Sequence, residues 1–522
     1  MLGELTFSKK CYNVHTMTTS FRETIQTRQS FPIGAEVVTA RGIPVENAAS
    51  PVDLARSLLS DDRIGWVSIT DNPGGNPMLP ADWLARKLAD FAPNIVLHLA
   101  CKDYNRAGLE SNLWRYAAEG FHNVLALSGD LPVTGYPKQA TGIFDIDSVA
   151  LLDMMSAMNR GLPVPARRGG TETLPPTQFF PGCVVNPFKQ NENELVPQYY
   201  KLAKKIRAGA AWVLPQLGYD MRKFHEVKLF LQSQGFDLPL IGNVYVLTKT
   251  VAKMFNAGKL AGCVVSDGLL AEIEKYSAGA DKGKQYFKEL AAKQLAVFKG
   301  LGFTAGYLGG LAKPESFFEI IELANQYAAD DWKTFYREIQ FPQPNEFYFF
   351  DTDNSTTPNP LLQKPKNTKN VNLFYRFSRL VHALAFHRGH GLYSVMKRIF
   401  QCLEKDNMLC RGCYRFVHRI EKHGKNVMYG CSDCGDCGLP DTAYLCPMNS
   451  CSKNMRNGPC GGSAKSRCEA DDKDCIWTIA YDRLKYFGEL ESFQNAPPVV
   501  YDAALEGTSA WGNLYLDRDH SG

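Results

Sequence analysis

The chain lacks long hydrophobic runs and a large excess of charge of either sign. Among its 522 residues, 58 lysines and arginines stand against 54 aspartates and glutamates, so the formal net charge is +4. A balance this close does not favour a nucleic acid or an anionic membrane as the partner. No apolar stretch approaches the roughly 20 residues of a membrane-spanning helix, and residues 1–13 contain no apolar signal core. We therefore expect a cytoplasmic protein without nucleic-acid or membrane partners.

Cysteine is scarce in the first 400 residues and dense after them. The early cysteines are Cys11, Cys101, Cys183 and Cys263. The other eleven fall between Cys402 and Cys475. In a cytoplasmic protein such density indicates metal binding rather than disulfide bonds.

Eight short apolar or β-branched runs alternate with helical patterns over the first 310 residues. The runs cover residues 35–38, 66–70, 95–100, 124–127, 180–185, 212–216, 240–247 and 303–308. Eight strands alternating with helices over about 300 residues are typical of a (β/α)₈ TIM barrel. A doubly wound open sheet has the same local pattern and is the alternative.

The remainder of the chain suggests a linker and a second domain. Residues 341–370 contain five prolines and a polar run, which is typical of a linker. We predict an N-terminal extension over 1–28, the barrel over 29–335 and the linker over 336–370. A cysteine-rich, metal-binding α+β domain over 371–497 and a tail over 498–522 complete the predicted organisation.

A turn after the fourth predicted strand places a carboxylate where barrel enzymes build their active sites. The strand at 124–127 leads directly into Ser128-Gly129-Asp130-Leu131-Pro132. The carboxyl ends of barrel strands carry the catalytic groups. Asp130 is thus a candidate site residue, although aspartate is also common in turns because its side chain bonds the local backbone.

Three ordered motifs resemble the methylenetetrahydrofolate reductase family. They are IVLHLACKDYN at 95–105, the strand and Gly-Asp turn at 124–132, and LAKKIRAGAAWVLPQLGYD at 202–220. The resemblance extends over about residues 30–325. It implies a flavoenzyme of one-carbon metabolism that interconverts 5,10-methylenetetrahydrofolate and 5-methyltetrahydrofolate by hydride transfer.

The resemblance also implies roles for particular residues. Glu36 would be the general acid, which requires an apolar site that raises its pKa. Asp130 would lie near both flavin and pterin, and Gln216 and Phe255 would contact the folate. The flavin contacts carried over are Thr70, His98, Gly129, Asp130 and Lys205. From the residues alone, each of these has a plain structural alternative: a surface turn for Glu36, a strand-end amide for Gln216 and a core position for Phe255 and His98.

Three departures from the family pattern lie in the expected flavin site. Ser128 stands where the family has arginine, Gln198 where it has an acidic residue, and Asn186-Pro187 where it has His-Pro. We expect FAD, with FMN as the alternative. No G-x-G-x-x-G follows a strand, so NAD(P)H, the expected electron donor, would have no Rossmann domain of its own. An enzyme that receives electrons from elsewhere would fit equally.

The cysteine-rich domain has a strong metal-binding signature. Cys431-x₂-Cys434-x₂-Cys437 is followed by Cys446-Pro447, a pattern similar to that of iron–sulfur ferredoxins. Cys410-x₂-Cys413 could join Cys451, Cys460, Cys468 or Cys475 in a second site. The predicted ligands are Cys410, Cys413, Cys431, Cys434, Cys437, Cys446, Cys451 and Cys460. Zinc is the alternative metal, since paired Cys-x₂-Cys is its usual form, and a thiol module without metal is the third alternative.

The stretch 446–475 resembles the C-terminal domain fused to or partnered with some bacterial methylenetetrahydrofolate reductases. It is also similar to the small electron-transfer subunit of acetogen reductases, which implies iron–sulfur clusters. We expect tetrahydrofolate as the substrate, and a homo-oligomer or a redox partner protein. Two other functions stay open: a methyl-folate-dependent barrel methyltransferase with a zinc–thiolate site, and a non-catalytic folate- or flavin-binding partner subunit.

Overall fold

Eight parallel strands form the barrel at the centre of the N-terminal domain. The computed structural model describes residues 19–43, 50–133, 135–351, 356–363, 368–405 and 407–522, so Cys11 and most of the predicted N-terminal extension lie outside the described residues. The strands are β1 Ile33–Val37, β2 Trp66–Ile69, β3 Ile95–Ala100, β4 Asn123–Leu127, β5 Phe180–Val185, β6 Trp212–Pro215, β7 Ile241–Tyr245 and β8 Ala305–Gly309. The predicted barrel is confirmed, and each strand end lies within two residues of its predicted position.

Strand pairing follows chain order around the barrel. β1 to β6 pair in sequence, β8 pairs with both β1 and β7, and a parallel bridge between Val213 and Leu240 brings β6 and β7 together. Because the strands are all parallel, their carboxyl ends meet at one rim, which we call the barrel mouth.

Helices surround the barrel on its outer face. They are Pro51–Leu59, Ala81–Arg86, Arg106–Ala118, Ser148–Arg160, Glu192–Arg207, Met221–Ser233, Lys249–Asn256, Asp267–Tyr276, Lys284–Gly300, Pro314–Gln326 and Trp332–Glu338. A short hairpin of Pro163–Pro165 and Thr171–Thr173 is inserted between β4 and β5. The apolar faces of the helices bury against the outside of the strands and form the main core.

A helix before β1 closes the end of the barrel opposite the mouth. Phe21–Thr27 buries Phe21 completely, and its ring lies 5.1 Å from that of Trp66 and 5.3 Å from that of Trp212. Trp66 and Trp212 begin β2 and β6, so they mark the amino ends of the strands. The end of the predicted extension is therefore part of the barrel's packing.

The predicted linker lies against the barrel over its aromatic run. Phe347, Phe349 and Phe350 are all buried, and the Phe349 ring packs edge-on to Tyr199 at 5.2 Å. These rings cover the helices Glu192–Arg207 and Met221–Ser233, which carry Tyr199 and Phe230.

The C-terminal domain is built from helices and irregular loops. Its helices are Leu373–Val381, Gly391–Leu403, Met408–Tyr429, Pro447–Ser450, Ile476–Phe487, Leu490–Asn495 and Ala510–Tyr515, with a π-helical turn at His382–Phe386. Within its described residues, β structure is limited to bridges from Arg467 to Ala464 and Asp474. The predicted tail contributes the last helix, whose Tyr515 is fully buried. No helix in the described ranges is long and apolar enough to cross a bilayer.

Candidate active site

A cavity of about 240 Å³ at the barrel mouth collects most of the predicted site residues. Its lining includes Glu36, His98, Gly129, Asp130, Lys205 and Gln216. These residues come from β1, β3, the β4 turn, the helix after β5 and the end of β6, so the cavity exists only because the barrel brings separate strand ends together.

Glu36 occupies β1 with its carboxylate close to the neighbouring strand β8. A Cβ atom added to Gly309 would lie 2.9 Å from Glu36 Oε1, so only glycine leaves room for the carboxyl group there. Burial raises the pKa of Glu36 to about 7, and the nearby Tyr307 hydroxyl and Gly310 N–H only partly offset it. A carboxyl group with this pKa can be protonated or ionised at neutral pH, as a general acid requires.

The Gly-Asp turn after β4 has the geometry that its sequence demands. Gly129 has φ +89°, and an added Cβ would lie 2.8 Å from Lys102 Cδ. The Gly74 N–H donates to Asp130 Oδ2 at 3.0 Å. Burial raises the pKa of Asp130, while the Lys453 ammonium acts in the opposite direction.

Gln216 follows β6, and its backbone N–H donates to Val185 O at 2.8 Å. Its Oε1 accepts the Leu217 N–H at 3.0 Å. The Gln216 amide nitrogen lies near Gly262, whose carbonyl accepts from Asn186 Nδ2 at 3.1 Å. This wall of the cavity therefore offers amide groups that can both donate and accept hydrogen bonds.

Two nitrogen-bearing side chains face the cavity from the barrel interior and its rim. His98 Nε2 lies 2.6 Å from Ser68 Oγ, and burial lowers the pKa of His98 to about 4, so its ring is neutral. Lys205 Nζ donates to Val184 O at 2.6 Å, and burial lowers the pKa of Lys205 to about 8. Gln198 Nε2, also on the lining, is buried and has no hydrogen-bond partner within the described chain. A buried cation and an unpaired amide donor on the lining of one cavity fit a ligand with an anionic group, such as the phosphate of a flavin.

The volume of the cavity limits what it can hold in this arrangement. Small-molecule pockets usually measure about 300–1,000 Å³, and this one measures about 240 Å³. The residues thus fit one ring system. A flavin and a pterin stacked together need more room than the closed mouth leaves.

Two predicted contacts do not line the cavity. Thr70 is buried after β2, where its N–H donates to Val37 O at 3.2 Å. Phe255 is 3% exposed on Lys249–Asn256, and its ring lies 5.8 Å from that of Tyr245. Tyr245 does line the cavity, so Phe255 packs behind it as a core residue.

The C-terminal domain supplies residues that the sequence analysis missed. Lys453, Cys460, Gly461, Gly462 and Glu469 complete the cavity lining. Lys453 Nζ donates to Gly129 O at 2.9 Å and pairs with Glu469. No local pattern could reveal contacts over more than 300 residues. The missed barrel residues Asn243, Tyr245 and Tyr307 do carry a signal, since each is a polar or aromatic residue on β7 or β8.

Buried polar contacts hold the two domains together at the mouth. Lys201 Nζ donates to Asp147 Oδ2 and to Gly458 O, both at 3.0 Å. Asn457 Nδ2 donates to Asp147 Oδ1 at 3.1 Å. Lys189 donates to the carbonyls of Gly461 and Ser463. The C-terminal domain therefore forms a cover over the barrel mouth that these hydrogen bonds hold in place.

Eight cysteines of that domain form two groups of four. We call Cys431, Cys434, Cys437 and Cys446 the first tetrad. Burial raises the pKa of Cys446, and its neighbours Cys437 and Cys431 raise that pKa further. Burial likewise raises the pKa of Cys434, and Cys437 and Cys446 add to the effect.

The second tetrad consists of Cys451, Cys460, Cys468 and Cys475. All four thiols line a single small cavity of about 20 Å³. Cys460 lines the barrel-mouth cavity as well, so the second tetrad adjoins the candidate active site.

The grouping differs from the predicted set of eight ligands. Cys410 and Cys413 lie near the start of helix Met408–Tyr429. The first tetrad lies near the other end of this helix, where Lys425 is close to Cys437 and Cys431. At 1.5 Å per residue, Cys413 is about 18 Å along the helix from Lys425. Neither Cys410 nor Cys413 lines the cavity of the second tetrad, where Cys468 and Cys475 take their place.

The thiols are not gathered as closely as a single bound zinc ion would gather them. Zinc with bonds of about 2.3 Å holds tetrahedral thiolates about 3.8 Å apart. Among the described cysteines, no three thiols lie within 4.8 Å of one another. A four-iron cluster separates its thiolates more widely because each binds a different iron.

Comparison with known proteins gives the family. The model described as "Methylenetetrahydrofolate reductase" matches residues 46–324, and that described as "Methylene-tetrahydrofolate reductase C terminal" matches residues 411–501. A solved structure titled as an uncharacterized protein from Clostridium thermocellum that binds two copies of 5-methyl-5,6,7,8-tetrahydrofolic acid is 12% identical. It has a TM-score of 0.41 and covers 58% of this chain and 96% of its own. A structure of 2,3-dimethylmalate lyase, a PEP mutase/isocitrate lyase superfamily member, is 11% identical, has a TM-score of 0.30 and covers 60% and 84%.

The TM-scores of these two structures are too low to bear on function. The two family matches, in contrast, identify the family of the chain. The first matched segment alone spans more than half of the chain, and the second follows it in the order that the fused domains require. The chain belongs to the methylenetetrahydrofolate reductase family.

Proposed function

We propose that this protein is a cytoplasmic, flavin-dependent oxidoreductase that interconverts 5,10-methylenetetrahydrofolate and 5-methyltetrahydrofolate by hydride transfer. The observation that carries the proposal is the meeting of Glu36, Asp130 and Gln216 on one cavity at the barrel mouth. A titratable acid, a second carboxylate and an amide within one small site are what protonation and orientation of a pterin need.

Three residues of the cavity are suited to hold the flavin. Lys205 would pair with a phosphate group, neutral His98 would donate or accept one hydrogen bond, and Gly129 would let the ring approach the backbone closely. When bound, the flavin accepts and returns the hydride of the folate carbon. FAD is the form that the family resemblance favours, and Thr70, which lies off the cavity, is the weakest of the predicted flavin contacts.

Glu36 would act on the folate nitrogen that leaves when the methylene bridge opens. Opening the five-membered ring gives a reactive iminium only if that nitrogen receives a proton. With a pKa of about 7, Glu36 carries the proton at neutral pH in a large fraction of molecules. In the reverse direction the ionised carboxylate takes the proton back.

Asp130 and Gln216 would orient the pterin. The Asp130 carboxylate can accept from ring N–H groups and stabilise cationic folate species. Gln216 offers a donor and an acceptor at the end of β6, which suits the mixed edge of a pterin. Phe255 packs behind Tyr245, so Tyr245 is the better candidate for contact with the folate.

The test is to purify the protein under anaerobic conditions, record its visible spectrum and add 5-methyltetrahydrofolate. Bleaching of the flavin band is expected, and tetrahydrofolate, which lacks the methyl group, should leave the band unchanged. A colourless protein that contains zinc would indicate the methyltransferase instead. Bound flavin that does not bleach would leave a binding subunit without catalysis.

We further propose that both tetrads hold iron–sulfur clusters, which would supply one-electron redox chemistry. Two four-iron clusters amount to about eight irons per chain. Cys475→Ser should remove about half of the iron, whereas Cys413→Ser, a matched change outside the tetrads, should remove none. Equal iron loss in both variants, or zinc in place of iron, would contradict the assignment.

A further inference from the structure

One lysine of the C-terminal domain reaches the barrel turn that carries Asp130. Lys453 Nζ donates to the Gly129 carbonyl at 2.9 Å and forms an ion pair with Glu469. Only 4% of Lys453 is exposed. Lys453 and Glu469 both line the cavity at the barrel mouth, together with Gly129 and Asp130. The candidate folate site therefore contains a buried contact between the C-terminal domain and the turn after β4.

This turn depends on side chains for its position. Within the described chain, residues 128–131 make no backbone–backbone hydrogen bond. The Asp130 carboxylate accepts the Gly74 N–H at 3.0 Å, and Ser128 Oγ lies 3.3 Å from Ser148 Oγ. A hydrogen bond from an ammonium group is roughly twice as strong as one between neutral groups. The bond from Lys453 is therefore a main support of the turn.

Glu469 holds the Lys453 ammonium group beside the turn. A Cβ atom added to Gly462 would lie 2.0 Å from the carboxyl carbon of Glu469, so glycine is needed there to leave room for the carboxylate. Lys453 stands two residues after Cys451, and Glu469 directly follows Cys468. Both members of the ion pair are thus attached to the second tetrad.

We propose that Lys453 is a positioning residue of the folate site, which holds the turn so that Asp130 faces the pterin. This proposal rests on the proposed function and gives the C-terminal domain a part in it. Lys453 acts through the turn, because its hydrogen-bond partners are a backbone carbonyl and Glu469. The second tetrad thereby affects folate binding through geometry.

The charge of Lys453 supports the same role. Burial raises the pKa of Asp130 and Glu469 adds to this effect, whereas the Lys453 ammonium and the Gly74 N–H act in the opposite direction. An ionised Asp130 offers only acceptors, which suits the N–H groups of a pterin. Loss of the ammonium group would therefore remove a charge that favours this form as well as a support of the turn.

The experiment measures folate binding and flavin bleaching separately in the full-length protein. Tetrahydrofolate has no methyl group to oxidise, so anaerobic calorimetry gives its Kd without reaction. Stopped-flow mixing with saturating 5-methyltetrahydrofolate gives the rate of bleaching. Lys453→Met should raise the Kd of tetrahydrofolate by about tenfold or more, as the loss of a hydrogen bond to a charged group does. It should lower the bleaching rate by about 10²-fold, because a small displacement of the reacting geometry has that effect.

Lys485 provides a matched control at the interface between the two parts of the chain. It is also a buried lysine of the C-terminal domain, and it donates to Leu361 O at 2.7 Å and pairs with Glu192. The described lining of the mouth cavity does not include Lys485. Lys485→Met should lower stability in urea denaturation as Lys453→Met does, yet should leave the Kd of tetrahydrofolate and the bleaching rate unchanged.

A double variant separates lost stability from lost position. Lys453→Met/Glu469→Gln removes both charges, so no unpaired carboxylate stays buried, and most of the stability lost in Lys453→Met should return. The affinity for tetrahydrofolate should stay low in the double variant, because the Gly129 carbonyl still lacks its donor.

Two outcomes would overturn the positioning role and leave the proposed function standing. One is a Lys453→Met protein that binds tetrahydrofolate and bleaches like the unmodified protein. The other is an affinity that falls equally in Lys485→Met, or that returns with stability in the double variant, since Lys453 would then only hold the domains together. Tetrahydrofolate binding that depends on Lys453 in a flavin-containing protein that never bleaches would instead overturn the function and keep the positioning role in binding.

Discussion

At the scale of single residues, Glu36 shows how position on a strand sets the chemistry of a carboxyl group. It lies in β1 between buried Ala35 and Val37, and its side chain faces the cavity beside Tyr307. Burial is the largest influence on it and raises its pKa to about 7. The same residue in a surface turn would be ionised at neutral pH and could not serve as an acid.

Glu36→Gln should abolish the folate half-reaction and spare the reduction of flavin by its electron donor. The amide cannot give up a proton, so folate turnover should fall by about 10²–10⁴-fold. In the unmodified protein, methylene reduction should decline as pH rises through about 7, because the protonated fraction of Glu36 is lost there; this decline should be absent from the residual rate of the variant. Stopped-flow measurement of both half-reactions checks this, and equal loss in both would count against the acid role.

Two features favour glycine at position 129: a positive φ and close neighbours around an added Cβ. Gly120 shares the positive φ but has no such neighbours, so the two effects can be measured separately. Gly129 has φ +89°, and an added Cβ would meet Lys102 Cδ at 2.8 Å and Ala100 Cβ at 3.1 Å. Gly120 has φ +81° with no atom within 4 Å of an added Cβ in the described structure. Gly120→Ala should therefore cost only the backbone strain, about 1 kcal/mol, and Gly129→Ala should cost more.

Urea denaturation of the two alanine variants, together with titration of 5-methyltetrahydrofolate, measures both effects. Gly129→Ala should also weaken folate binding, because a shift of this turn would move Asp130, which lines the cavity. If Gly120→Ala is as destabilising as Gly129→Ala, contact with Lys102 is not the reason for the glycine.

At the scale of elements, the barrel strands were predictable because each is a short apolar run between helical patterns. Those runs place Glu36 and Gln216 at strand ends, and the structure brings both to one cavity. Phe255 was harder to place, since one aromatic residue on an amphipathic helix can face a ligand or the core with the same sequence pattern. The contacts of Lys453 and Cys460 depend on domain packing, which leaves no local signal.

The cysteine-rich domain limits prediction in a different way. The helical segment that begins at Leu373 ends at Phe386, and His390 caps a new helix by accepting the Leu392 N–H. In the sequence, the break between the two helices is indicated by Gly389-His390-Gly391, where two glycines flank the capping residue. The pattern of Cys431, Cys434, Cys437 and Cys446 indicated the first tetrad. The second tetrad could not be read, because Cys410-x₂-Cys413 has the same Cys-x₂-Cys spacing as the first and differs only in its surroundings.

The pair of Lys201 and Asp147 joins three elements, and its loss should be costly. Asp147 caps helix Ser148–Arg160 through the N–H groups of Val149 and Ala150, and Lys201 also reaches Gly458 of the cover. Lys201→Met would leave a buried carboxylate unpaired, which costs about 3–5 kcal/mol. Asp147→Asn/Lys201→Met keeps the cap without the charge and should recover most of that loss.

The pH dependence of this effect has a definite sign. Burial alone would raise the pKa of Asp147, but the Lys201 ammonium outweighs it and holds that pKa below its ordinary value. The pair therefore contributes stability above about pH 4, which is lost as pH falls through the folded pKa. Denaturation at pH 7 and below pH 4 should show the gap between Lys201→Met and the unmodified protein narrowing in acid; a constant gap would mean that lost packing dominates.

At the scale of the whole molecule, the two domains form one site between them. The second tetrad lies beside the barrel mouth through Cys460, and Cys437 of the first tetrad lies on the wall of a separate groove in the C-terminal domain. This arrangement places the second tetrad directly against the cavity at the barrel mouth.

The size of the closed cavity predicts that the cover moves when ligands bind. About 240 Å³ fits one ring system, yet hydride transfer needs flavin and pterin in contact. Residues 457–463 cover the mouth and are held by Lys189, Asn186 and Lys201. Hydrogen exchange of this segment should therefore become faster when FAD and 5-methyltetrahydrofolate are added together than with FAD alone. Helix Ile476–Phe487, whose Tyr481 hydroxyl donates to Glu192 at 2.8 Å, should exchange unchanged and serves as the control. Slower exchange of the segment with both ligands would mean that they fit beneath a cover that stays in place.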